Sequence, residues 1–485
     1  MPEAPPNPVA ALRAFIAFEE REQLFERQIL GVEYWQLIRH DVFRETLEAL
    51  GLAARAHLRL EELPLSSWLM PQLRQLPQTL ARSHDLALAP AELLVATHPR
   101  QLRYGGRYIC PYTQPLLWGT QRSRLLLSGQ FQGRYFQPDA GERTRYVDLG
   151  LLLSHAAFRA RELAGRGLTE RDQRELAAVR EALAAQLGAA PPAAALRRRA
   201  RTAVLSFLGL APRLDRLLTR VRPRGVVSVI GYRLVHQILT LRARAAGVPV
   251  AELQHGTIGA AHAAYNFAQG RTPPAFPDHL LTFGEIWREL TPGLPLPAAR
   301  VHPVGYGWLE LQRADFPRRA HPGPRRVLFL SQRDIGPELS KLAAQLQARL
   351  AGADVELCYR LHPSEGHGWQ SAYPELRASG VRVEEAAVRP LYAAQAEADV
   401  QVGVYSTALL EGIAFGLQTA LVQLPGSEQL AFLVERGLAQ AVHDAAELAT
   451  IVAQPAAPAA DSGRLLWAAD PPARFSAFIE SQFFR

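Results

Sequence analysis

One polar stretch stands out because it follows directly on an apolar run, VAELQHGTIGAAHAAYNF at 250–267. It brings Glu252, His255 and His262 together beside Gly256. A carboxylate and imidazoles are common general bases near neutral pH. His255 is the first candidate for the base, because the following glycine lets a ligand approach the backbone. Glu252 is interpreted as a group that orients His255 or is paired in the core, and His262 as a further candidate base or ligand contact.

A second polar motif, GVYSTALLEGIAFG at 403–416, also follows an apolar run. Ser406 or Thr407 can cap the helix predicted to begin there. The unpaired N–H groups and positive dipole end of a helix favour an anion such as phosphate. Glu411, one turn later, can accept hydrogen bonds from ribose hydroxyls. An ordinary N-cap with a solvated glutamate is the alternative interpretation.

A third motif, YRLHPSE at 359–365, supplies Arg360, His362 and Pro363 as candidates for nucleotide binding. An imidazole near a phosphate tends to stay protonated and can stabilise charge on a departing nucleotide. The His-Pro dipeptide recurs at 98–99, 302–303 and 321–322, so the dipeptide alone has little specificity. The position of His362 after a predicted strand is what makes it a candidate.

The elements that must position these residues are short apolar runs ended by glycine or proline and separated by helical stretches. Such runs predict buried parallel strands in an α/β layer. In the first part of the chain the runs are ELLVATHP, SRLLLSG, RTRYVDLG, GVVSVIG, VPVAELQHG, HLLTFG and ARVHPVG. From about 325 they are RRVLFLSQ, DVELCYRLHP, VRVEE, DVQVGVYS and LQTALVQLPG, with helices predicted at 337–350, 390–397, 407–416 and 427–436.

The predicted fold class is therefore α/β, with two Rossmann-type doubly wound domains facing a cleft. Residues 10–83 are predicted to be mainly helical. The predicted divisions are a helical N-terminal extension at 1–90, a first Rossmann-like domain at 91–312, a proline-rich basic linker at 313–326, a second Rossmann-like domain at 327–453, and a C-terminal segment at 454–485 that packs back on the first domain.

Composition and missing motifs exclude several classes of protein. No apolar run among the 485 residues approaches the roughly 20 needed to span a bilayer, and the N-terminus lacks a signal peptide's basic region, so a cytoplasmic location is expected. Cys110 and Cys358 have no metal-ligand spacing. The chain has no GxGxxG after a strand, no Walker A motif and no Asp-x-Asp, which argues against a nicotinamide enzyme, a P-loop NTPase and a metal held by such a motif. No metal site is predicted.

The net charge of +8 comes almost wholly from arginine. Codon bias in a GC-rich genome and an anionic partner are both open explanations. A basic helix near 196–210 carries Arg197, Arg198, Arg199 and Arg201, which suit either peripheral contact with the inner membrane or a solvated helix end. The chain lacks a recognisable helix-turn-helix, zinc-finger or RNP signature, so no nucleic-acid partner is predicted.

With these motifs placed, the chain resembles bacterial capsular and surface-polysaccharide glycosyltransferases of the GT-B type. The likeness covers most of the chain and rests on EYWQLIRHDVF, LLVATHPRQLRYGGRYICPYTQPL, VAELQHGTIGAAHAAY, PDHLLTFGEIWRELT, VHPVGYGWLE, YRLHPSE and GVYSTALLEGIAFG. The resemblance implies transfer of a sugar from a nucleotide-activated donor to a glycan or lipid-linked acceptor. It favours a CMP-linked acidic sugar such as Kdo or a sialic-type sugar, and other nucleotide sugars remain open. It also implies that His362, Ser406 and Thr407 contact the donor's phosphate, and that no cofactor is needed beyond this donor substrate.

Two other functions remain open at this point. LQHGT is similar to the WHGT of teichoic-acid glycerophosphotransferases, which makes a CDP-polyol phosphotransferase the first alternative. A non-catalytic nucleotide-sugar-binding scaffold is the second. In a transferase, His262 is a candidate to hold the acceptor. The same role is predicted for a group of arginine and tyrosine residues on a predicted loop, Arg103, Tyr104, Tyr108 and Tyr112.

Overall fold

The computed structural model describes residues 7–53, 88–129, 143–148, 168–318, 322–366, 368–454 and 462–485. The chain forms two compact units. Unit 1 comprises Met1–Gly305 with Asp470–Arg485, and unit 2 comprises Tyr306–Ala469. The division at Gly305 comes before the linker predicted at 313–326. That segment overlaps the end of one helix and the beginning of one strand.

Unit 1 is built on a parallel sheet. Its strands in chain order are β1 Gln28–Ile29, β2 Val32–Glu33, β3 Leu93–Ala96, β4 Leu102–Tyr104, β5 Arg107–Ile109, β6 Arg124–Ser128, β7 Thr144–Asp148, β8 Gly225–Val229, β9 Val250–Leu253, β10 His279–Thr282 and β11 Val301–Pro303. The main sheet has the order β11-β10-β9-β8-β3-β6-β7, with each pair parallel. The winding direction therefore reverses between β3 and β8, as in a doubly wound fold.

Helices pack around this sheet. They are α1 Pro8–Arg21, α2 Trp35–Ala49, α3 Gln114–Leu117, α4 Glu170–Leu187, α5 Ala193–Val221, α6 Leu234–Ala245 and α7 Ile286–Glu289. Asn7 caps α1, and Thr169 forms a capping box with Asp172 at the start of α4. The basic helix predicted near 196–210 is part of α5, where Arg199 hydrogen-bonds to Asp41 and Glu45.

Two hairpins differ from the sequence prediction. Residues 102–109 pair as β4 and β5, where a loop was predicted, because Gly105 and Gly106 adopt φ values of +55° and +80°. A two-residue turn between strands requires such positive φ angles. The β1–β2 pair likewise interrupts the predicted helical region at 10–83. Residues 54–83 of that prediction lie outside the described residues.

Unit 2 repeats the doubly wound plan. Its strands are β12 Arg325–Leu330, β13 Val355–Arg360, β14 Arg382–Glu384, β15 Val400–Gly403, β16 Gln418–Val422 and β17 Gln440–Val442. Its helices are α8 Gly307–Asp315, α9 Gly336–Arg349, α10 Trp369–Ala372, α11 Pro374–Ser379, α12 Leu391–Glu397, α13 Thr407–Ala414, α14 Ala431–Glu435, α15 Ala445–Ala453 and α16 Ser462–Leu466. The strands are parallel in the order β14-β13-β12-β15-β16-β17, so the winding reverses between β12 and β15. The sequence prediction missed β17.

The core of unit 2 lies under one face of its sheet, where alternate strand residues such as Phe329, Tyr359 and Val402 pack with Leu339 and Leu346 of α9. Both sheets are thus parallel and helix-covered. The predicted fold class, α/β with two Rossmann-type doubly wound domains and helices at the N-terminal side, is confirmed. The predicted cleft between the domains stays a prediction.

The last helix, α17 Pro471–Phe483, belongs to unit 1, where it packs on α3. The ring of Phe483 lies so close to Gly225 of β8 that a Cβ there would be 2.1 Å from it. A Cβ on Gly119 would likewise be 2.5 Å from the carbonyl oxygen of Pro472. Glycine is needed at both positions for close approach. Across the described ranges, no helix is both long enough and apolar enough to cross a membrane.

Candidate functional site

In open α/β sheets, ligands bind beyond the carboxyl ends of the strands where the winding reverses. In unit 1 that point lies between β3 and β8. His98 follows β3 by two residues, Tyr232 follows β8, and His255 follows the next strand, β9. The fold therefore places three groups able to exchange protons at one edge of the sheet.

These side chains contact one another. The Tyr232 hydroxyl lies 3.2 Å from Nε2 of His255. The ring of His98 is stacked with that of His255 at a centroid distance of 6.2 Å, and the ring of Tyr112 lies 5.0 Å from His98. Nδ1 of His255 is buried and has no hydrogen-bond partner in the described part of the chain. One nitrogen of His255 is thus held by Tyr232, and the other has no hydrogen-bond partner in the described part of the chain.

A second layer lies behind Tyr232. His40 of α2 is 4.5 Å from the Tyr232 ring, and His262 stacks on His40 at 5.3 Å. His262 also lies edge-on to Tyr265 at 4.8 Å. The structure therefore brings His255 and His262 into one aromatic cluster, with Tyr232 between them.

Arg39 fixes the segment that carries His262. Its guanidinium is buried, pairs with Glu19 at 2.7 Å and donates to the carbonyl oxygens of Ala263 and Asn266. A buried ion pair is tolerated when such hydrogen bonds satisfy its remaining donors. The motif EYWQLIRHDVF thus has a structural role through Arg39 and places His40 in the cluster.

Glu252 lies within β9 and is 2% exposed. Its Oε1 accepts hydrogen bonds of 2.7 Å from the Gly231 amide and from the Tyr265 hydroxyl. Burial raises the pKa of Glu252 to about 7, although both donors oppose that rise. The two hydrogen bonds of Glu252 do not reach His255, so any orienting effect of Glu252 on His255 must be indirect.

Burial keeps the histidines of the cluster neutral. It lowers the pKa of His255 to about 4, with a smaller effect from His40. It lowers the pKa of His98 to about 3 and that of His40 to about 4, and the pKa of His262 also falls well below its usual value. A neutral imidazole keeps a lone pair on one ring nitrogen, which is the state that a general base requires.

The loop after β8 is strained. Ile230 adopts φ +59°, which is unfavourable for a β-branched residue, and its carbonyl oxygen lies 3.2 Å from Nδ1 of His236. Next to it, a Cβ on Gly231 would come within 2.4 Å of Oε2 of Glu252. Strain of about 1–3 kcal/mol per residue persists where the surroundings enforce it, and it is frequent at functional sites. Here it brings the loop with Tyr232 onto Glu252.

The second candidate region lies in unit 2, where the winding reverses between β12 and β15. Ser406 follows β15 and caps α13, accepting a hydrogen bond from the Ala408 amide at 3.3 Å. Thr407 is exposed in the first turn, and Glu411 is half-buried one turn later. The side chain of Gln332, after β12, accepts from the Tyr405 amide at 3.3 Å and so links the two loops. The N-terminus of α13 therefore opens at the edge where an anion would bind.

His362 is exposed after β13, next to the exposed Pro363. Its Nδ1 accepts a hydrogen bond from the backbone amide of Ser364 at 3.2 Å and lies 2.8 Å from the Ser364 hydroxyl. An amide N–H can only donate, so Nδ1 carries the lone pair and Nε2 carries the proton. In this geometry His362 presents Nε2–H as a donor, and the expectation of a protonated imidazole beside a phosphate stays a prediction.

Glu365 holds this loop in place. Its Oε2 accepts from the backbone amide of His362 at 2.6 Å, and its Oε1 accepts from Tyr373 at 2.5 Å and from Ser331 at 3.0 Å. Because β13 and β15 flank β12, the ends that carry His362 and Ser406 lie roughly 10 Å apart. This spacing suits one ligand with several phosphate and hydroxyl groups.

Arg360 does not fit its predicted role in nucleotide binding. Its side chain is only 7% exposed, pairs with Glu384, and donates to the carbonyl oxygens of Ala386 and Arg389. The reason is its place as the last residue of β13, where its side chain turns toward the neighbouring strand β14. It fixes the loop after β14.

The four loop residues that were predicted to hold the acceptor substrate lie in two different places. Tyr112 is buried beside His98, whereas Arg103, Tyr104 and Tyr108 lie on the β4–β5 hairpin. The ring of Tyr104 lies 6.1 Å from that of Trp118, which is 42% exposed. Tyr112 therefore joins the cluster around His255.

Sequence reasoning missed four residues of these two regions, His40, His98, Tyr232 and Gln332. For His98 and Tyr232 the signal was present, because THP follows ELLVA directly and GYR follows GVVSVI. Each follows a predicted strand, which is the criterion that selected His255. In the described part of the chain, no three His, Cys, Asp or Glu side chains form a group that could bind a metal ion.

No protein-family model matches the chain. A search of curated proteins also finds no match. Solved structures do match. The glycotransferase of kitacinnamycin is 15% identical over 81% of this chain and 99% of its own, with a TM-score of 0.46. Acinetobacter baumannii MurG is 14% identical over 81% and 100%, with a TM-score of 0.45. A UDP-N-acetylglucosamine 2-epimerase is 11% identical over 82% and 97%, with a TM-score of 0.49. At these TM-scores, the fold assignment is based on the two parallel sheets themselves.

Proposed function

We propose that this protein is a glycosyltransferase that moves a sugar from a nucleotide-activated donor to a hydroxyl group of a glycan or lipid-linked acceptor. The observation that carries the proposal is His255, a neutral imidazole with one unpartnered nitrogen at the point where the sheet of unit 1 reverses its winding. An acceptor hydroxyl needs such a base to lose its proton as it attacks the sugar.

The second half of the reaction needs groups that stabilise a departing phosphate. The N-terminus of α13 supplies backbone N–H groups and the positive end of a helix dipole. His362 supplies an Nε2–H donor that Ser364 holds in one tautomer. These groups belong to unit 2 and His255 to unit 1, so the proposal assigns donor binding and acceptor activation to different units.

The finer parts of the proposal come from the sequence resemblance. The donor would be a CMP-linked acidic sugar and the product a capsular or other surface polysaccharide. Glu411 would accept from the ribose, and Thr407 would join Ser406 at the phosphate. The reaction would take place in the cytoplasm, and the exposed Arg197 and Arg198 of α5 support a peripheral contact with the inner membrane.

Thermal-shift measurements with CMP, CDP, UDP and GDP test the donor. Binding to the folded state raises the melting temperature according to RT ln(1 + [L]/Kd), so a selective shift with CMP supports the proposed donor. Mass spectrometry of the product then separates the functions. Addition of a sugar supports a glycosyltransferase, addition of a polyol phosphate identifies the teichoic-acid type of reaction, and binding without any product identifies a scaffold.

We expect transfer to persist in EDTA, because no metal-binding motif was found in the sequence and protein donors can stabilise the leaving phosphate. Loss of turnover on chelation, restored by magnesium or manganese, would contradict the metal-independent form of the proposal.

A further inference from the structure

We propose that Glu252 acts through Tyr232 to fix the tautomer of His255, so that Nδ1 of His255 is the nitrogen that takes the proton of the acceptor. The catalytic part of this inference rests on the proposed function, whereas the tautomer itself is a property of the protein alone. Glu252 is a positioning residue here, since it acts through another side chain.

A small cavity lies beside Glu252 and Tyr232. Its volume is about 20 Å³, which is enough for one water molecule. Gln36, Arg39, His40, Gly231, Tyr232 and Glu252 contribute to its wall. Apolar residues such as Phe267 and Phe276 complete the wall, so a water here would depend on the polar groups for its hydrogen bonds.

The Oε2 atom of Glu252 can accept a hydrogen bond from a group in this cavity. The Gly231 amide and the Tyr265 hydroxyl both donate to Oε1, and no hydrogen bond to Oε2 is present in the described part of the chain. The negative charge of Glu252 acts on Tyr232, because after burial it is the largest influence that raises the pKa of the Tyr232 hydroxyl. A water between Oε2 and Tyr232 would accept from the hydroxyl and donate to the carboxylate.

The direction in which Tyr232 donates its hydroxyl proton decides which ring nitrogen of His255 carries a proton. A hydroxyl has one proton. When Tyr232 directs it toward the carboxylate, its oxygen can only accept from His255, so Nε2 must carry the ring proton. The 3.2 Å contact then runs from Nε2–H to the Tyr232 oxygen, and Nδ1 is left with its lone pair. A carboxylate behind a hydroxyl thus selects the basic nitrogen, as an aspartate does for the histidine of a catalytic triad.

The other charged or titratable groups around the cavity do not compete for the Glu252 carboxylate. Arg39 is engaged by Glu19 and by two backbone carbonyl oxygens. His40 and His262 are kept neutral by burial, and Tyr265 already donates to Oε1. Arg233 and Asp41 also act on the Tyr232 hydroxyl, each with a smaller effect on its pKa than Glu252. Tyr232 is therefore the group through which Glu252 can influence His255.

The proton balance of the transfer step follows from this arrangement. The acceptor oxygen bonds to the anomeric carbon while the bond from that carbon to the donor phosphate breaks, and the acceptor proton moves to Nδ1 of His255. The imidazolium can then release its Nε2 proton to the Tyr232 oxygen, as the Tyr232 proton passes through the water to Glu252. The departing nucleotide keeps the electron pair of the broken bond.

Nitrogen NMR of the imidazole rings tests the tautomer without substrate. Above about pH 7, where Glu252 is ionised, His255 should be in the Nε2–H form. Protonation of Glu252 below that pH removes the acceptor for the Tyr232 proton, so the Nδ1–H form should grow in with a midpoint of about 7. Tyr232→Phe and Glu252→Gln should both abolish this pH-dependent change.

Tyr265→Phe is the matched control. It removes a donor to the Glu252 carboxylate but leaves the Tyr232 contact, so the tautomer change should persist with its midpoint at higher pH. The inference is overturned if wild-type His255 is in the Nδ1–H form above pH 7, or if folded Tyr232→Phe keeps the wild-type titration. The wild-type titration decides the matter even if a variant does not fold. A correct tautomer in a protein that transfers no sugar would refute the proposed function and leave the assignment to Glu252 standing.

Discussion

His255 combines two properties that an acceptor-activating base needs, a ring that is neutral and one nitrogen without a partner. We expect His255→Ala to lower turnover by roughly 10²–10⁴-fold, the usual effect of removing a general base. Donor affinity should stay the same, because His255 and the donor groups belong to different units. Transfer rates by mass spectrometry and donor affinity by calorimetry check both parts.

His443→Ala is a suitable control for this prediction, since His443 is an exposed residue of unit 2 that only pairs with Glu447. It should transfer sugar at the wild-type rate. Wild-type turnover in His255→Ala would mean that this residue is not the base. Glu252 or His262 would then become the next candidate.

Because His362 presents Nε2–H as a donor, we expect different effects from its replacement by alanine and by glutamine. His362→Ala should weaken nucleotide binding about ten- to hundredfold, which corresponds to about 1.5–3 kcal/mol for a hydrogen bond to a charged group. His362→Gln should retain much of the affinity, because its amide can place an N–H donor near the position of Nε2. Calorimetry with the nucleotide identified by thermal shift gives the comparison.

Equal loss in the His362→Ala and His362→Gln variants would show that a positive charge, rather than a neutral donor, is required. Unchanged affinity in both variants would remove His362 from the site.

At the scale of elements, two substitutions of Ser406 can separate the capping of α13 from the binding of phosphate at its N-terminus. Ser406→Ala should cost about 1 kcal/mol in the stability of unit 2, because the Ala408 amide loses its acceptor. Ser406→Asp retains a cap but adds a negative charge where the phosphate would bind. We therefore expect Ser406→Asp to keep the stability and lose nucleotide affinity, as measured by urea unfolding and calorimetry. Normal affinity in Ser406→Asp would exclude phosphate from this helix end.

Strands and helices of both sheets were predictable, because buried parallel strands are short apolar runs between turn residues. The β4–β5 hairpin was also predictable from its Gly-Gly pair. Other features depend on contacts between distant segments. Arg360 was misassigned because the sequence does not show that Glu384 lies beside it on the neighbouring strand. His40 was missed because α2 reaches the cluster only through tertiary packing.

At the scale of the molecule, the buried histidines predict that the protein loses stability in acid. The folded-state pKa values of His40, His98, His236 and His255 are about 4, 3, 4 and 4. In the unfolded chain each should be about 6.5. The unfolded state therefore binds more protons in this range, and stability falls as pH drops from about 6.5 toward 4. Each histidine can contribute up to about 1.4 kcal/mol per pH unit.

The contribution of Glu252 to stability changes with pH in the opposite direction. Its folded-state pKa of about 7 is above the unfolded value, so its contribution is present at low pH and is lost as pH rises through about 7. Between about pH 4 and 6.5 the four histidines outweigh Glu252, so urea unfolding should show a stability that rises with pH to a plateau near neutrality, and Glu252→Gln should make that rise steeper. A stability that does not change between pH 6.5 and 4 would contradict the neutral, buried state of the histidines.

The return of α17 to unit 1 has a consequence for synthesis on the ribosome. Residues 470–485 follow all of unit 2 in the sequence, yet Phe483 packs on Gly225 in the sheet of unit 1. Unit 2 is one continuous stretch and can finish folding while the nascent chain still lacks α17. Part of the sheet of unit 1 stays uncovered until α17 has been synthesised, although domains nearer the N-terminus usually fold first. A chain that is released after ending at Ala469 should therefore contain a protease-resistant unit 2 and a unit 1 that is cleaved more readily than in the full chain.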